Sequence, residues 1–280
     1  MANDFQFFSK NGQILPIEEA TISLSNIAYS YGFGVYESLK VRNGIIYFVD
    51  EHIERLFHSA NIIGLQHSFT REQIEQFIND LTVVIKTDSY NLKILLIGGT
   101  EPLLCIMPLA PHYLDRKFYS DGVKTVTFHN ERIFPQAKSL NMLPSYIAYT
   151  KAREVGGYDS LLIDSSENIV EGTRSNFFTL RDTVLFTPPK EKILEGVTKL
   201  TVLDVAQKNG FTVSEKDIPL SEIASFDGAF LTSTSAKIVP IKQIDDFIFP
   251  QIPEKLRELM RQYDEFLDMS RGKFSSNDFR

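Results

Sequence analysis

Asn168-Ile-Val-Glu-Gly-Thr-Arg-Ser-Asn-Phe-Phe178 is an apolar run that ends on an acid and turns through small residues. Upstream of it stands Phe134-Pro-Gln-Ala-Lys-Ser-Leu-Asn141, in which a lysine closes an irregular stretch ahead of a helix. Taken alone, Lys138 reads as a solvated surface lysine, the fate of most lysines. Leu140 and Leu143 point instead to a buried approach, where desolvation lowers an amine's pKa and makes it nucleophilic. Taken alone, Glu171 reads as a turn carboxylate. It ends the apolar pair Ile169-Val170, and a buried glutamate needs a cationic partner. Arg174, along the same turn, is one such partner; a protonated ring nitrogen on a bound group is the other.

An amine and an acid of this kind are what a pyridoxal phosphate enzyme needs. The amine holds the cofactor aldehyde as a Schiff base, and the acid keeps the ring nitrogen protonated. The phosphate needs backbone donors and short hydroxyls. Two stretches offer them. In Ile193-Leu-Glu-Gly-Val-Thr-Lys199, Gly196 permits close approach while Val197 and Thr198 open a helix. In Leu231-Thr-Ser-Thr-Ser-Ala236 a hydroxyl cluster follows a strand. Either one alone is an ordinary cap or loop. Arg55, on an early helix, adds a permanent charge, although most helix arginines are solvated.

The chain has 280 residues, 43% of them hydrophobic, enough for one large domain or two modest ones. Its formal charge of −7 is spread along the chain and disfavours nucleic acid as a partner. The single cysteine, Cys105, lies in an apolar run and is expected to be a buried, inert thiol. The start, Met1-Ala-Asn-Asp-Phe, lacks a basic segment, and no apolar run reaches membrane-spanning length. A cytoplasmic protein with no membrane contact is expected, and no metal site is read from the sequence.

Organisation follows from turn and period signals. Asn11-Gly12 and Asn43-Gly44 each mark a hairpin, the second between Val35–Val41 and Ile45–Phe48. Asp50 is expected to cap a helix carrying Ile53, Leu56, Ala60 and Ile63, and Thr70 to cap another from Arg71 to about Lys86. Leu92–Ile97 and Leu104–Met107 read as paired strands. The prolines of Pro108–Arg116 place a linker in or just after that stretch. Further strands are expected at Val123–Phe128, Ser160–Ile163, Phe177–Leu180 and Ala229–Thr232. Helices are expected from about Ser145 to Val155, from Thr198 to Gly210, and from Pro253 to about Met269. The class is α+β, in two mixed domains: 1–110, a linker over 111–119, and 120–280, the last carrying the lysine.

In this order the segments resemble the fold-type IV (class IV) pyridoxal phosphate aminotransferases, over about Tyr29 to Pro240. Tyr29-Ser-Tyr-Gly-Phe-Gly-Val-Tyr-Glu-Ser-Leu-Lys-Val41 is similar to the family's first strand motif, and Glu51-His-Ile-Glu-Arg-Leu56 to its arginine helix. The resemblance implies that Arg55 holds the cofactor phosphate, with Val197, Thr198 and Thr234 as further contacts. It implies that Leu194 packs on the ring, that Glu171 meets the ring nitrogen, and that Lys138 is both the Schiff-base lysine and the catalytic base. It further implies two α/β domains with mixed sheets and flanking helices, the cofactor in the cleft between them, and a homodimer to whose sites Tyr29 and Tyr31 contribute. The reaction implied is amino transfer between an amino acid and a 2-oxo acid.

The substrate end departs from each pattern within the family. Lys138-Ser-Leu-Asn and Leu231-Thr-Ser-Thr-Ser look most like D-amino-acid aminotransferases, yet the Arg-x-His pair those enzymes carry is absent from Gly98 to Cys105. Branched-chain aminotransferases usually place a tyrosine where Met142 stands, although Tyr31 matches a tyrosine of their first motif. Aminodeoxychorismate lyases share Lys-x-Leu-Asn and a Leu-Lys strand like Leu92-Lys93, and differ at Thr232-Ser-Thr. D-amino-acid substrates therefore lead, with branched-chain L-amino acids next. The lyase is the alternative within the fold, and a non-catalytic homologue the alternative outside it. Tyr31, Tyr36, Lys93, Arg174 and Ser235 are the expected substrate-binding residues. For the α-carboxylate, Arg174 and Lys93 stand level, ahead of Lys40.

Overall fold

The computed structural model describes residues 5–23 and 25–270. The chain forms two compact units. One gathers the residues up to His112 and the segment Ala137–Met142; the other gathers Tyr113–Gln136 and Leu143–Ser270.

The first unit is built on an antiparallel sheet. Strands β1 (Phe7–Lys10) and β2 (Gln13–Pro16) turn at Asn11 and Gly12, whose φ values of 49° and 88° are the left-handed pair a tight hairpin requires. After the short α1 (Ile27–Ser30), β3 (Gly34–Arg42) turns at Asn43-Gly44 into β4 (Ile45–Ile46). Helix α2 (Val49–Ile62) follows. Its N-cap is Phe48, in the left-handed region and without a side-chain cap; Asp50, expected as the cap, lies inside the first turn and pairs with Arg71 at 3.1 Å. There its charge still favours the helix dipole. Helix α3 (Arg71–Val84) has the expected Thr70 cap, in a reciprocal capping box with Gln73. Strands β5 (Tyr90–Ile97) and β6 (Leu103–Leu109) complete the sheet, in the order β2-β1-β6-β5-β3-β4.

Period-2 alternation divides β3 between two faces. Val35, Leu39 and Val41 pack with Ile53 and Leu56 of α2 and with Ile74, Ile78 and Leu81 of α3. The opposite face presents Tyr36, Ser38 and Lys40. The lysine segment joins this unit, not the second one where the sequence reading placed it. Its backbone is the reason. Tyr36 N–H donates to the Lys138 carbonyl at 2.9 Å, Leu140 N–H donates to the Gly34 carbonyl at 2.8 Å, and Ser139 bridges Val35. Gly34 allows this approach, since a Cβ there would lie 2.8 Å from Leu140 Cδ1 and from the Leu96 carbonyl.

In the second unit, α4 (Arg116–Ser120) starts within the stretch expected as linker, where Asp115 accepts from Lys117 N–H. Then come β7 (Val123–His129), α5 (Leu143–Glu154), β8 (Asp159–Ile163), β9 (Ile169–Gly172), β10 (Asn176–Arg181) and β11 (Val184–Thr187). They are followed by α6 (Val197–Lys208), β12 (Thr212–Glu215), β13 (Gly228–Ser233), β14 (Lys237–Ile244), β15 (Phe247–Ile248) and α7 (Glu254–Ser270). The sheet is mixed: β7 pairs parallel with β8 and β14, and β13 antiparallel with β10 and β14. The path β10-β13-β14-β7-β8-β9 returns to β10 through Asn176 and Glu171, so the sheet closes on itself. Both units combine sheet and helix, the α+β class expected.

Candidate active site

Within the first unit, the Lys138 amine lies 4.6 Å from the centroid of the Tyr36 ring, a cation–π distance. Its backbone N–H donates to Ser59 Oγ at 3.1 Å, which ties the segment to α2. A second amine, Lys93 Nζ, is 5.9 Å from the same ring. The fold thus brings Lys138, Tyr36 and Lys93 together from three places in the sequence. Lys40 shares their sheet face. Tyr29 and Tyr31 stand in solvent, Tyr31 with 85% of its surface exposed.

Arg55 is also in this unit. Its Nε and Nη2 donate to the two oxygens of Glu37 at 2.7 and 2.8 Å, and His52 Nδ1 lies 2.7 Å from the same carboxylate. Glu37 is completely buried. Burial by itself would raise its pKa, but the Arg55 guanidinium and His52 outweigh that and hold the carboxyl well below its usual range. Two of the five guanidinium N–H groups are committed to this fork.

Within the second unit, Glu171 is 3% exposed and sits on β9. Leu194 N–H donates to its Oε2 at 3.3 Å. Arg132 Nε lies 2.7 Å from its Oε1, as an ion pair. The cation beside Glu171 is therefore Arg132, not Arg174. Arg174 is exposed and stacks on Tyr149, its guanidinium carbon 4.4 Å from the ring centroid. Glu131, Asp164, Glu191 and Lys192 join Arg132 and Glu171 around a cavity of about 310 Å³.

Register sets Glu171, Asn176 and Thr232 opposite one another across β9, β10 and β13. Asn176 Nδ2 donates to the Leu194 carbonyl at 2.7 Å, which fixes the loop leading into α6. Gly196 is the N-cap of α6 and no side chain caps the helix. A Cβ at position 196 would lie 2.1 Å from Asn176 Oδ1, so only glycine fits without moving the amide. The first turn of α6 holds buried Val197 and Thr198 and no acid. Lys199 there is fully buried, 3.6 Å from Glu215. Thr232 Oγ1 is buried with no hydrogen-bond partner among the described residues. Thr234 and Ser235 occupy the β13–β14 turn, Ser235 exposed.

The turn after Glu171 is pinned from below. Asp159, fully buried, accepts from Thr173 Oγ1 at 2.5 Å, Ser175 Oγ at 2.8 Å and Ser160 N–H at 2.9 Å. Burial raises its pKa against these donors and the Arg174 charge. The sequence reading did not single out Arg132, Glu37, His52 or Asp159. Asn130-Glu-Arg-Ile gives no local signal for Arg132, because it lies in the loop after β7 and its acid stands far along the chain on β9. Glu37, by contrast, lies among the apolar residues of β3, and a charge at a core position of an alternating strand asks for a buried partner.

The first unit thus holds a lysine against an aromatic ring, and the second a buried, cation-paired acid and a helix N-terminus without a side-chain cap. The amino-transferase class IV family model matches residues 34–244, and the chain belongs to that family; the protein is an aminotransferase. Its sequence is 30% identical over 247 residues to a D-alanine aminotransferase of Bacillus licheniformis, with 84% of this chain and 87% of the relative covered. It is also 30% identical over 271 residues to a putative branched-chain-amino-acid aminotransferase of Methanocaldococcus jannaschii, covering 89% and 93%. Among solved structures, the branched-chain aminotransferase of the thermophilic archaeon Thermoproteus uzoniensis with norvaline superposes with a TM-score of 0.87. It is 26% identical, with 96% of this chain and 97% of that chain covered. No helix among the described residues is long and apolar enough to cross a membrane.

Proposed function

We propose that the protein uses pyridoxal 5'-phosphate to move an amino group between an amino acid and a 2-oxo acid, with D-amino acids ahead of branched-chain L-amino acids. The carrying observation is Glu171, a buried acid paired with Arg132 at 2.7 Å and followed in the fold by the glycine-capped start of α6. The residues present fit the cofactor. Thr232 Oγ1 is a buried hydroxyl without a partner among the described residues, and the N–H groups of Val197 and Thr198 open a helix with no capping side chain. When bound, the cofactor supplies an electron sink for the α-carbon.

The chain's own residues have separate tasks in this reading. Lys138 would hold the cofactor aldehyde, and its amine would carry the proton to and from the α-carbon. Glu171 would keep a proton at the ring nitrogen, and Arg132 orients Glu171 through the 2.7 Å contact. Val197, Thr198, Thr234 and Arg55 serve the phosphate. Leu194 supplies an apolar surface to the ring, and Tyr31, Tyr36, Lys93, Arg174 and Ser235 serve the substrate. The active species is a homodimer, which sedimentation at assay concentration tests; an active monomer would reject it. The half-reaction tests the function itself. D- and L-amino acids are added one at a time to the cofactor-loaded protein while the cofactor absorbance is followed. Conversion by D-alanine ahead of L-leucine is expected; no conversion by any amino acid would reject the reading.

A further inference from the structure

Asp159, at the start of β8, is a fully buried carboxylate, and such a group is costly unless its oxygens are filled. Four donors fill them. Oδ1 accepts from Thr173 Oγ1 at 2.5 Å, from Ser160 N–H at 2.9 Å and from Thr173 N–H at 3.3 Å. Oδ2 accepts from Ser175 Oγ at 2.8 Å. Three of these donors belong to the turn that follows Glu171. Gly172 is fitted to the same grip, since a Cβ there would lie 2.1 Å from Ser175 Oγ and 2.7 Å from Asp159 Oδ2. The Thr173 carbonyl lies between the two residues so held, Thr173 before it and Ser175 after it. Bonds to an ionised acceptor are stronger than neutral ones, so the direction of that carbonyl is firmly set.

The Thr173 carbonyl accepts from Arg132 Nη2 at 2.9 Å. The same guanidinium, through Nε, lies 2.7 Å from Glu171 Oε1. Arg132 thus bridges an acid and a carbonyl two residues apart on one turn. Two contacts fix the plane of a rigid guanidinium, where one would leave it free to swing. The Arg132 side chain is 22% exposed, so water competes for any N–H group that the protein does not hold. We propose that Asp159 is a positioning residue for Glu171. By fixing the Thr173 carbonyl it sets the Arg132 guanidinium, and through it the carboxylate that is to hold the ring-nitrogen proton. This rests on the proposed function for the role of Glu171, whereas the contacts from Asp159 to Arg132 stand without it. A turn carboxylate with a structural task alone would stabilise the fold and leave Arg132 as it is.

The test pairs two readouts. On the cofactor-free protein, solvent exchange of the Arg132 Nε–H is followed by heteronuclear NMR, the resonance being assigned by its loss in Arg132→Lys. On the cofactor-loaded protein, the nitrogen chemical shift of isotopically labelled pyridoxal phosphate is read at a fixed pH and reports whether the ring nitrogen is protonated. The variants are Asp159→Asn, Thr173→Val and Thr173→Ser, with Leu256→Ala, a truncation of a fully buried residue on α7, as the control for lost stability. Asp159→Asn and Thr173→Val are expected to speed the exchange by about tenfold, the weight of one hydrogen bond, and to move the ring nitrogen toward its unprotonated shift. Thr173→Ser should keep both at wild type. Leu256→Ala should lower the urea midpoint and move neither. Unchanged exchange in Asp159→Asn and Thr173→Val, faster exchange with an unmoved ring-nitrogen shift, the same changes in Leu256→Ala, or a Thr173→Ser that behaves as Thr173→Val would each overturn the proposal. Should Asp159→Asn not fold, the two Thr173 variants decide under the same criteria. If the wild-type protein binds no cofactor, the proposed function fails, while the exchange readout still decides whether Asp159 positions Arg132.

Discussion

Gly196→Ala isolates the packing that sets the start of α6. Gly196 has φ −69° and ψ 132°, angles that any residue adopts, so alanine brings no backbone strain. The cost is steric. The new Cβ would lie 2.1 Å from Asn176 Oδ1 and 3.3 Å from Asn176 Cγ, whereas Lys199 Cβ, at 3.5 Å, is in ordinary contact. The amide must retreat by roughly an ångström, and its Nδ2 then leaves the Leu194 carbonyl, now 2.7 Å away. A buried hydrogen bond left unmade costs about 1–3 kcal/mol, and overpacking costs a similar amount. The expected destabilisation is about 2–5 kcal/mol, read from the shift of the urea midpoint at constant m. With Asn176→Ala in the background the obstacle is gone, and Gly196→Ala should then cost less than about 1 kcal/mol. Equal costs in both backgrounds would refute the assignment of the clash to Asn176. Cofactor affinity should follow the same pattern, weak in the single variant and partly restored in the double.

Lys138→Ala should abolish turnover and leave no lysine that borohydride reduction links to the cofactor; a reduced adduct on another lysine would reject its role. Arg132→Met leaves the Glu171 carboxylate buried without its cation, and breaking such a pair costs about 3–5 kcal/mol. Denaturation should show this loss, with a changed pH dependence of the cofactor spectrum that a purely structural role would not produce. Glu37 has a folded-state pKa below its ordinary 4.5, so its contribution to stability is present above that value and is lost as pH falls below it. Glu37→Gln should therefore flatten the acid limb of the stability profile below about pH 4.5. An unchanged limb would show that the Glu37–Arg55–His52 cluster does not drive acid unfolding.

The elements of the fold were legible wherever a local signal sets them. Asn-Gly turns with left-handed φ, the Thr70 cap and the 3.6-residue period of α2, α3 and α7 need no tertiary information. What sequence missed depends on partners distant along the chain. Phe48 caps α2 because the β4 turn delivers the backbone in a left-handed conformation, while Asp50, the better capping residue by type, arrives two residues later. The Ala137–Met142 segment belongs to the first unit because its N–H and C=O groups pair with Gly34, Val35 and Tyr36, a match between backbones that leaves no mark in the side chains. Gly34 is the one trace of it, and its reason appears only beside Leu140.

The site divides in the same way. Lys138, Glu171 and the Gly-Val-Thr start of α6 can be proposed from sequence because each chemical task needs a particular residue type in a particular local setting. The partners of those residues are not, since charge pairing selects position in space rather than in sequence. Arg174 stands three residues from Glu171, but at that spacing across the Gly172–Ser175 turn its side chain leaves the β9 face, and the turn itself is held by Asp159. Arg132 stands far back in the chain, and its Nε nevertheless reaches the carboxylate. Lys93 is the converse case. Alternation with Leu92 and Ile94 showed that it faces away from their core without saying what it faces. The structure places its amine 5.9 Å from the centroid of the Tyr36 ring, the ring that also carries Lys138, a neighbour that strand alternation alone cannot name.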